Sequence, residues 1–323
     1  MPSPTTPKSK VLVLGAGNFG SCLADHLGDS DHEVYIWSRH ASFVQHFNTH
    51  HRNPNYLKDH VFSSNIRAVG PDIPDTGRIQ QMDVLLFAIP TQGLRETLTK
   101  LRSSLVGENL PLLIFVNKGI ETDTQALTLE IIADTCGGDI ARVATFISGP
   151  SFATEIVRRQ PTSVSVASLT ESQAQKASQI FHQPWFRCYT GGDPIGLELA
   201  GALKNVYAIA AGMADGLGFE NNTRAMGYRL GKGEALEDII NTLGSVAEGV
   251  TTAKGVKKMI DEMDVSAPIA NGIELWDWSA GKDVKTGVQE LMCRPPSREL
   301  DLPRKTGEQA KRLLKKLGIE PIG

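Results

Sequence analysis

The 323-residue sequence has no apolar run approaching the roughly 20 residues that a membrane-crossing helix needs, which excludes a helical membrane protein. It has no surplus of charge of one sign: 33 Lys and Arg against 36 Asp and Glu leave a formal net charge of -3, and no basic run stands apart. Without such a field there is nothing to hold a nucleic-acid backbone, so no nucleic-acid partner is expected. Cysteine is scarce. Cys22, Cys136, Cys188 and Cys293 are far apart and form no C-x-x-C pair, which excludes a disulfide framework and reads as reduced structural thiols. Residues 1–10 carry Pro, Ser and Thr but neither an apolar signal region nor an Arg-rich pattern, and Pro321-Ile322-Gly323 matches no retention or peroxisomal signal. A cytoplasmic globular protein is the expectation.

What is present is an alternation. Short β-rich apolar runs at 11–14, 34–37, 84–89, 112–116, 143–147 and 163–167 are separated by helical patterns at 19–27, 94–105, 124–135 and 171–181. Several runs show no polar alternation, as strands buried on both faces of a parallel sheet require. The rhythm predicts an α/β fold: an N-terminal Rossmann-type doubly wound sheet. A last strand at 186–189 runs into Gly191-Gly192-Asp193-Pro194, a turn cluster that also suits a helix start. Beyond it helical periodicity dominates, at 195–213, 236–246, 252–263, 269–280 and 284–291, with one further helix at 307–317. The chain is long enough for two cores, so the domains are predicted as 1–192, dinucleotide-binding, and 193–323, a mainly α-helical substrate and catalytic domain.

The first strand runs directly into Gly15-Ala16-Gly17-Asn18-Phe19-Gly20, which opens a helix. In a G-x-G-x-x-G turn of this context Gly15 permits the tight turn, Gly17 lets a pyrophosphate approach the backbone, and Gly20 lets helix pack on strand. The helix N-terminus then offers free N–H groups to the phosphates. An NAD-selective site places an acid at the end of the second strand, but here the residues are Ser38-Arg39-His40. Arg39 suits the 2′-phosphate of NADP, so NADP(H) is favoured with NAD(H) as the alternative; a plain surface arginine is the competing reading.

Ligands of an open parallel sheet gather outside the carboxyl ends of its strands. Asn117-Lys118-Gly119 and Ser148-Gly149-Pro150-Ser151-Phe152-Ala153 follow two such ends. Lys118 offers a fixed positive charge for an anionic substrate, against the reading of a solvated loop lysine, and Gly149, Ser151 and Ala153 offer hydrogen bonds at a helix start. The 195–213 helix is apolar almost all round and is predicted to be buried, with Lys204 in its middle. A buried amine is costly unless paired or deprotonated, which is how lysines are tuned for proton transfer; the alternative is a snorkelling or structurally paired lysine. Asn205 beside it can support a carbonyl oxygen or a cofactor amide. Two patterns carry less. Gly227 to Lys232 falls one residue short of a Walker spacing, and His46 and His50 have helical spacing without a third ligand, so no metal is expected.

With these residues in view the chain resembles the soluble NAD(P)-dependent glycerol-3-phosphate dehydrogenase family. The matching blocks include Gly15-Ala16-Gly17-Asn18-Phe19-Gly20, Arg52-Asn53-Pro54-Asn55-Tyr56-Leu57, Asn117-Lys118-Gly119, Ser148-Gly149-Pro150-Ser151-Phe152-Ala153 and Leu203-Lys204-Asn205-Val206. Gly212-Met213-Ala214-Asp215-Gly216-Leu217-Gly218, Asn222-Thr223-Arg224-Ala225 and Val246-Ala247-Glu248-Gly249 follow in order. The resemblance implies reduction of dihydroxyacetone phosphate, a small phosphorylated three-carbon substrate, to sn-glycerol 3-phosphate for lipid synthesis. It implies that Asn18, Phe19, Arg39, Lys118 and Ala153 line the cofactor, with Val246 and Glu248 reaching it from the helical domain. Lys118, Gly149 and Ser151 would meet the substrate and Lys204 would transfer the proton. A homodimer is carried as an expectation.

The resemblance has one gap. In the family a segment carrying Gly-x-Gly-Asp-Leu and Ser-Arg-Asn-Arg motifs, which hold the substrate, follows the Asn-Thr-Arg-Ala block. Here Asn222-Thr223-Arg224-Ala225 continues directly into Met226-Gly227-Tyr228-Arg229-Leu230-Gly231-Lys232-Gly233-Glu234. The family's catalytic aspartate and phosphate-binding Arg–Asn pair have no assigned counterpart, and Arg224 is not given the role. Two alternatives follow: a cofactor-binding protein with lost turnover, and a 3-hydroxy acid dehydrogenase, a related group that also combines a Rossmann turn with a helix-borne lysine.

Overall fold

A computed structural model of the chain describes residues 8–106 and 110–216 together with positions 229, 232, 234, 238 and 258. It divides into two compact units, Met1–Asn117 with Thr128–Glu198, and Lys118–Leu127 with Leu199–Gly323. Along the chain the described elements are β1 (Lys10–Leu14), α1 (Asn18–Asp29), β2 (Glu33–Trp37), α2 (Ala41–His50), β3 (Ile66–Val69), α3 (Thr76–Gln80), β4 (Val84–Phe87) and α4 (Thr91–Leu101). Then come β5 (Leu112–Phe115), α5 (Thr128–Cys136), α6 (Gly138–Val143), β6 (Thr145–Ser148), α7 (Ala153–Ile156), β7 (Thr162–Ser168), α8 (Glu171–Phe181), β8 (Phe186–Gly191) and α9 (Pro194–Gly216).

The strands form one sheet in the order β3-β2-β1-β4-β5-β6-β7-β8. From β3 to β6 every pairing is parallel. The direction of winding reverses between β1 and β4, and this switch point is where an open α/β sheet leaves a crevice at its carboxyl edge. The residues explain the placement. β4 and β5, VLLF and LLIF, are buried at every position, as strands covered by helices on both faces must be. β2 alternates half-buried and buried residues, and the short β3 reads Ile-Arg-Ala-Val, which suits the sheet's outer edge.

Three features differ from the expected pattern. The sheet is not wholly parallel: β7 runs antiparallel to β6, with Ser148 opposite Ser165, and β8 is parallel to β7. α5 begins at Thr128 rather than at 124, because the preceding residues close a tight turn. In that turn Gln125, at φ +59°, donates its N–H to Glu121 O at 2.8 Å, and Glu121 N–H donates to Ala126 O at 3.0 Å. The first unit also continues into the opening of α9 instead of stopping at 192, while Lys118–Leu127 goes with the second unit. The helices expected beyond 216 lie outside the described residues.

Candidate active site

The three glycines of the first turn are required for different reasons. Gly15 sits at φ +119°, and a Cβ there would stand 2.5 Å from the Ala88 carbonyl oxygen at the end of β4. A Cβ on Gly20 would stand 2.1 Å from Gly15 O. The protein's own backbone therefore demands both. Gly17 is different: it has ordinary φ and ψ of -72° and -176°, and nothing lies within 4 Å of its Cβ position. No packing among the described residues calls for glycine there, and the space they leave suits the close approach of a phosphate. Gly17 is also the N-cap of α1, no side chain caps that helix, and its first turn holds no acid. These features fit a dinucleotide's pyrophosphate.

At the end of β2, Ser38 is buried and Arg39 is exposed, with Arg39 Nε donating to His40 Nε2 at 3.4 Å. Arg39 also reaches Glu96 on α4 electrostatically: that carboxyl is held below its usual range by the Lys100 hydrogen bond and charge first, with Arg39 adding to them. At the end of β5, Asn117 Nδ2 donates to Ile89 O at 2.7 Å, tying that strand end to the loop after β4. Asn117 Oδ1 and Thr91 Oγ1, the latter in the first turn of α4, are buried without a hydrogen-bond partner among the described residues. Buried polar atoms are nearly always paired, so the Asn117 carbonyl oxygen, an acceptor, and the Thr91 hydroxyl, a donor or an acceptor, are unsatisfied groups of this edge among the described residues. In the sequence Asn117 is marked only by standing before Lys118, and Thr91 by no motif at all.

At the end of β6 a Cβ on Gly149 would meet Ser163 O at 2.9 Å, so β7 fixes this residue as glycine. Ser151 is half-buried with its Oγ donating to Gly149 O at 3.3 Å, and Ala153 is buried at the first position of α7. α7 has only four residues, so the expected helix-start donors here amount to a single turn. Phe152, between them, is 52% exposed. Gly15, Gly17, Asn18, Phe19, Gly20, Arg39, Gly149, Ser151 and Ala153 thus all leave the carboxyl edge of one sheet in the first unit. Lys118, Lys204 and Asn205 belong to the second unit, and Val246, Glu248 and most of the Gly227 to Lys232 run lie outside the described residues.

The helix bearing Lys204 corrects an expectation. α9 is not buried all round: Glu198, Gly201, Ala202, Val206 and Ile209 are buried, whereas Ala200, Lys204 and Tyr207 are exposed. The spacing of its small and apolar residues makes one buried stripe, and Lys204 stands outside it. Desolvation therefore does not single out this amine, and Lys118, half-buried, is the more enclosed of the two lysines. α9 is anchored at its start, where Asp193 Oδ1 accepts from Gly196 N at 2.8 Å. Glu198 accepts from Leu129 N, at the opening of α5, at 3.2 and 3.3 Å on its two oxygens, and burial raises its carboxyl well above the usual range.

Among the described residues no three His, Cys, Asp or Glu side chains gather as a metal would need. The His46 and His50 rings pack 4.7 Å apart on α2. Cys22, Cys136 and Cys188 carry no disulfide, and burial pushes the Cys188 thiol up to about 12, so it has no thiolate character at neutral pH. No described helix is long and apolar enough to cross a membrane.

The family model described as the NAD-dependent glycerol-3-phosphate dehydrogenase N-terminus matches residues 10–174. The model of the C-terminus matches 193–227 and again 224–275, so the match breaks where the sequence runs from the Asn222 block straight into the Gly231 block. The glycerol-3-phosphate dehydrogenase, NAD(P)+, of Limosilactobacillus reuteri is 32% identical over 88% of this chain and 97% of its own length. That of Myxococcus xanthus is 33% identical over 89% and 98%. The crystal structure of glycerol-3-phosphate dehydrogenase from Coxiella burnetii superposes with a TM-score of 0.80 at 24% identity, covering 90% of this chain and all of that one, and so shares the fold. Matches in both halves, in the order in which the blocks stand along the sequence, mean that the chain belongs to the NAD-dependent glycerol-3-phosphate dehydrogenase family.

Proposed function

We propose that this protein interconverts dihydroxyacetone phosphate and sn-glycerol 3-phosphate using NAD(P)H. The observation that carries the reading is the open space at Gly17 in a turn whose other two glycines the backbone requires, in a chain whose full-length relatives bear that activity's name. The 3-hydroxy acid alternative is set aside, since the curated relatives are named for the phosphorylated substrate.

When bound, the nicotinamide supplies the hydride. The chain's residues do the rest. Gly15, Gly17 and Gly20 with the N–H groups of Asn18 and Phe19 hold the pyrophosphate, and Arg39 favours the 2′-phosphate of NADP. Asn117 and Ala153 border the cofactor on the same edge, with Val246 and Glu248 completing it from the helical half. Lys118, Gly149 and Ser151 hold the substrate's anionic and hydroxyl groups, and Asn205 supports its carbonyl oxygen. Lys204 donates a proton to the oxygen as it gains negative charge and takes it back in the oxidative direction. Its exposure leaves the amine accessible to substrate. We read the protein as a cytoplasmic homodimer serving glycerophospholipid and carbohydrate metabolism.

The test is NADPH oxidation on adding dihydroxyacetone phosphate, in the parent protein and in Lys204→Met. Turnover in the parent that falls roughly 100-fold or more in the variant is the expected result. NADPH binding without oxidation in the parent would instead mean that the interrupted C-terminal half has cost the protein its turnover. Equal rates in parent and variant would remove Lys204 from the mechanism.

A further inference from the structure

Asn53 lies in the loop between α2 and β3, 37 residues along the chain from the phosphate turn, and it is 1% exposed. Its Nδ2 donates to Ala16 O at 3.1 Å and to Ser21 Oγ at 2.8 Å. Its Oδ1 accepts from Asn55 N at 2.9 Å and from Tyr56 N at 3.1 Å. An amide side chain has two N–H donors and two lone pairs on oxygen, so every bond this group can make is made. Ser21, fully buried on α1, also donates its Oγ to Ala16 O at 3.3 Å. Two side chains on two elements, the Asn53 amide and the Ser21 hydroxyl, thus converge on one carbonyl of the turn.

That carbonyl has a geometric consequence. The Ala16–Gly17 peptide is planar and trans, so its C=O and its N–H point in opposite directions. Holding Ala16 O inward against Asn53 and Ser21 turns the Gly17 N–H the other way. Gly17 has no side chain to brace it, no described residue comes within 4 Å of its Cβ position, and no side chain caps the helix it begins. The bracing comes from below, through Asn53. We propose that Asn53 is a positioning residue for the cofactor's pyrophosphate, fixing the Ala16–Gly17 peptide in the orientation that presents its N–H to the phosphates. The proposal rests on the reading that this turn grips the cofactor. It adds a distant residue that touches neither cofactor nor substrate but sets nucleotide affinity.

The experiment is a fluorescence titration of the intact protein with NADPH, alongside thermal unfolding without nucleotide. Asn53→Ala should raise the Kd roughly ten-fold, the scale of one buried hydrogen-bond network. Asn53→Ser keeps an uncharged oxygen that can accept from the N–H groups of Asn55 and Tyr56, as serine does in such turns, but is too short to reach Ala16; it should raise the Kd similarly. This second variant keeps the loop folded if alanine does not. Asn48→Ala is the structural comparison. Asn48 bridges both the N–H and the C=O of Ala68 at 2.8 and 2.9 Å in the same unit, away from the turn, so its loss should lower the unfolding temperature with Kd unchanged. Gly17→Val fills the empty space and tests the underlying reading. If Gly17→Val binds NADPH as the parent does, the turn is not the grip. If Gly17→Val loses binding while both Asn53 variants stay within about two-fold of the parent, the positioning role is wrong and the grip stands.

Discussion

Gly20 packs so closely on Gly15 that a methyl group on the first would stand 2.1 Å from the carbonyl oxygen of the second. The turn and the helix it opens are therefore in direct backbone contact at these two glycines. Gly20→Ala must push α1 away from β1, and overpacking of this kind costs about 1–3 kcal/mol. We predict a lower unfolding temperature together with weaker NADPH binding. Gly17→Ala, which meets none of the described residues, should weaken binding and leave unfolding unchanged. An equal loss of stability in both variants would show that Gly17 also has a packing role.

Acid sensitivity is predicted at His26. Its ring is fully enclosed among Phe181, Trp185 and Phe186, and Nε2–H donates to Phe181 O at 2.7 Å. Nδ1 has no partner among the described residues, so a second proton there would be buried without an acceptor. Burial first of all lowers the His26 pKa from 6.5 to about 4, against smaller opposing effects of the Phe181 bond and Asp29. A depressed histidine is neutral in the folded state while the unfolded chain takes up a proton, so stability is full above about pH 6.5 and is lost as pH falls towards 4. The loss is on the order of 3 kcal/mol. In His26→Gln, urea unfolding at pH 7 and pH 4.5 should differ less than in the parent. An unchanged difference would assign the acid sensitivity elsewhere.

Glu198 has the opposite sign. Its carboxyl is raised, chiefly by burial, so the folded state favours the neutral acid. That contribution is full below about pH 4.5, the ordinary glutamate value, and is lost as pH rises through the folded value. Glu198→Gln keeps an oxygen for the Leu129 N–H and never ionises. The unfolding temperature of the variant should therefore gain on that of the parent between pH 5 and pH 8. A gap that narrows over the same range would mean the helix N-terminus holds the carboxylate charged.

Cofactor choice is predicted to follow Arg39. Removing a charged hydrogen bond to phosphate typically costs 10- to 100-fold in affinity. Arg39→Ser should weaken NADPH by roughly that factor in a direct titration and leave NADH nearly unchanged. Parallel weakening of both would place Arg39 outside the 2′-phosphate subsite.

The fold was legible where residues bury on both faces or pack in long periods. β1, β4 and β5 showed as unbroken apolar runs, and α8 was located at both ends by its helical spacing. β3 escaped because four residues with an exposed Arg67 at the sheet's edge leave no signal, and α3 and α7, of five and four residues, are shorter than any period can reveal. The reversal of β7 was invisible because side-chain patterns record burial, not strand direction. In the site the need for glycine at positions 15 and 20 could be read from the turn pattern, since each answers a local backbone constraint. The exposure of Lys204 could not: α9's composition is apolar, but small residues such as Ala200 can face outward at little cost, and only the fold shows which stripe is covered. Asn53 was visible only as part of a family block, because its partners Ala16 and Ser21 are far away in sequence.

Phe87, Phe115 and Phe146 stand directly opposite one another on β4, β5 and β6, with Phe87 stacked on Phe115 at 4.5 Å and 7° and Phe115 on Phe146 at 5.7 Å and 26°. Each ring closes, or nearly closes, its strand just before the loops of Ala88, Asn117 and Gly149 begin. The three loops therefore rise from a common aromatic floor, and none can tilt without unseating its neighbour's foundation. Mechanically the crevice has one footing rather than three, so a single cut at Phe115 would be felt at all three loops at once, well before the sheet itself came apart.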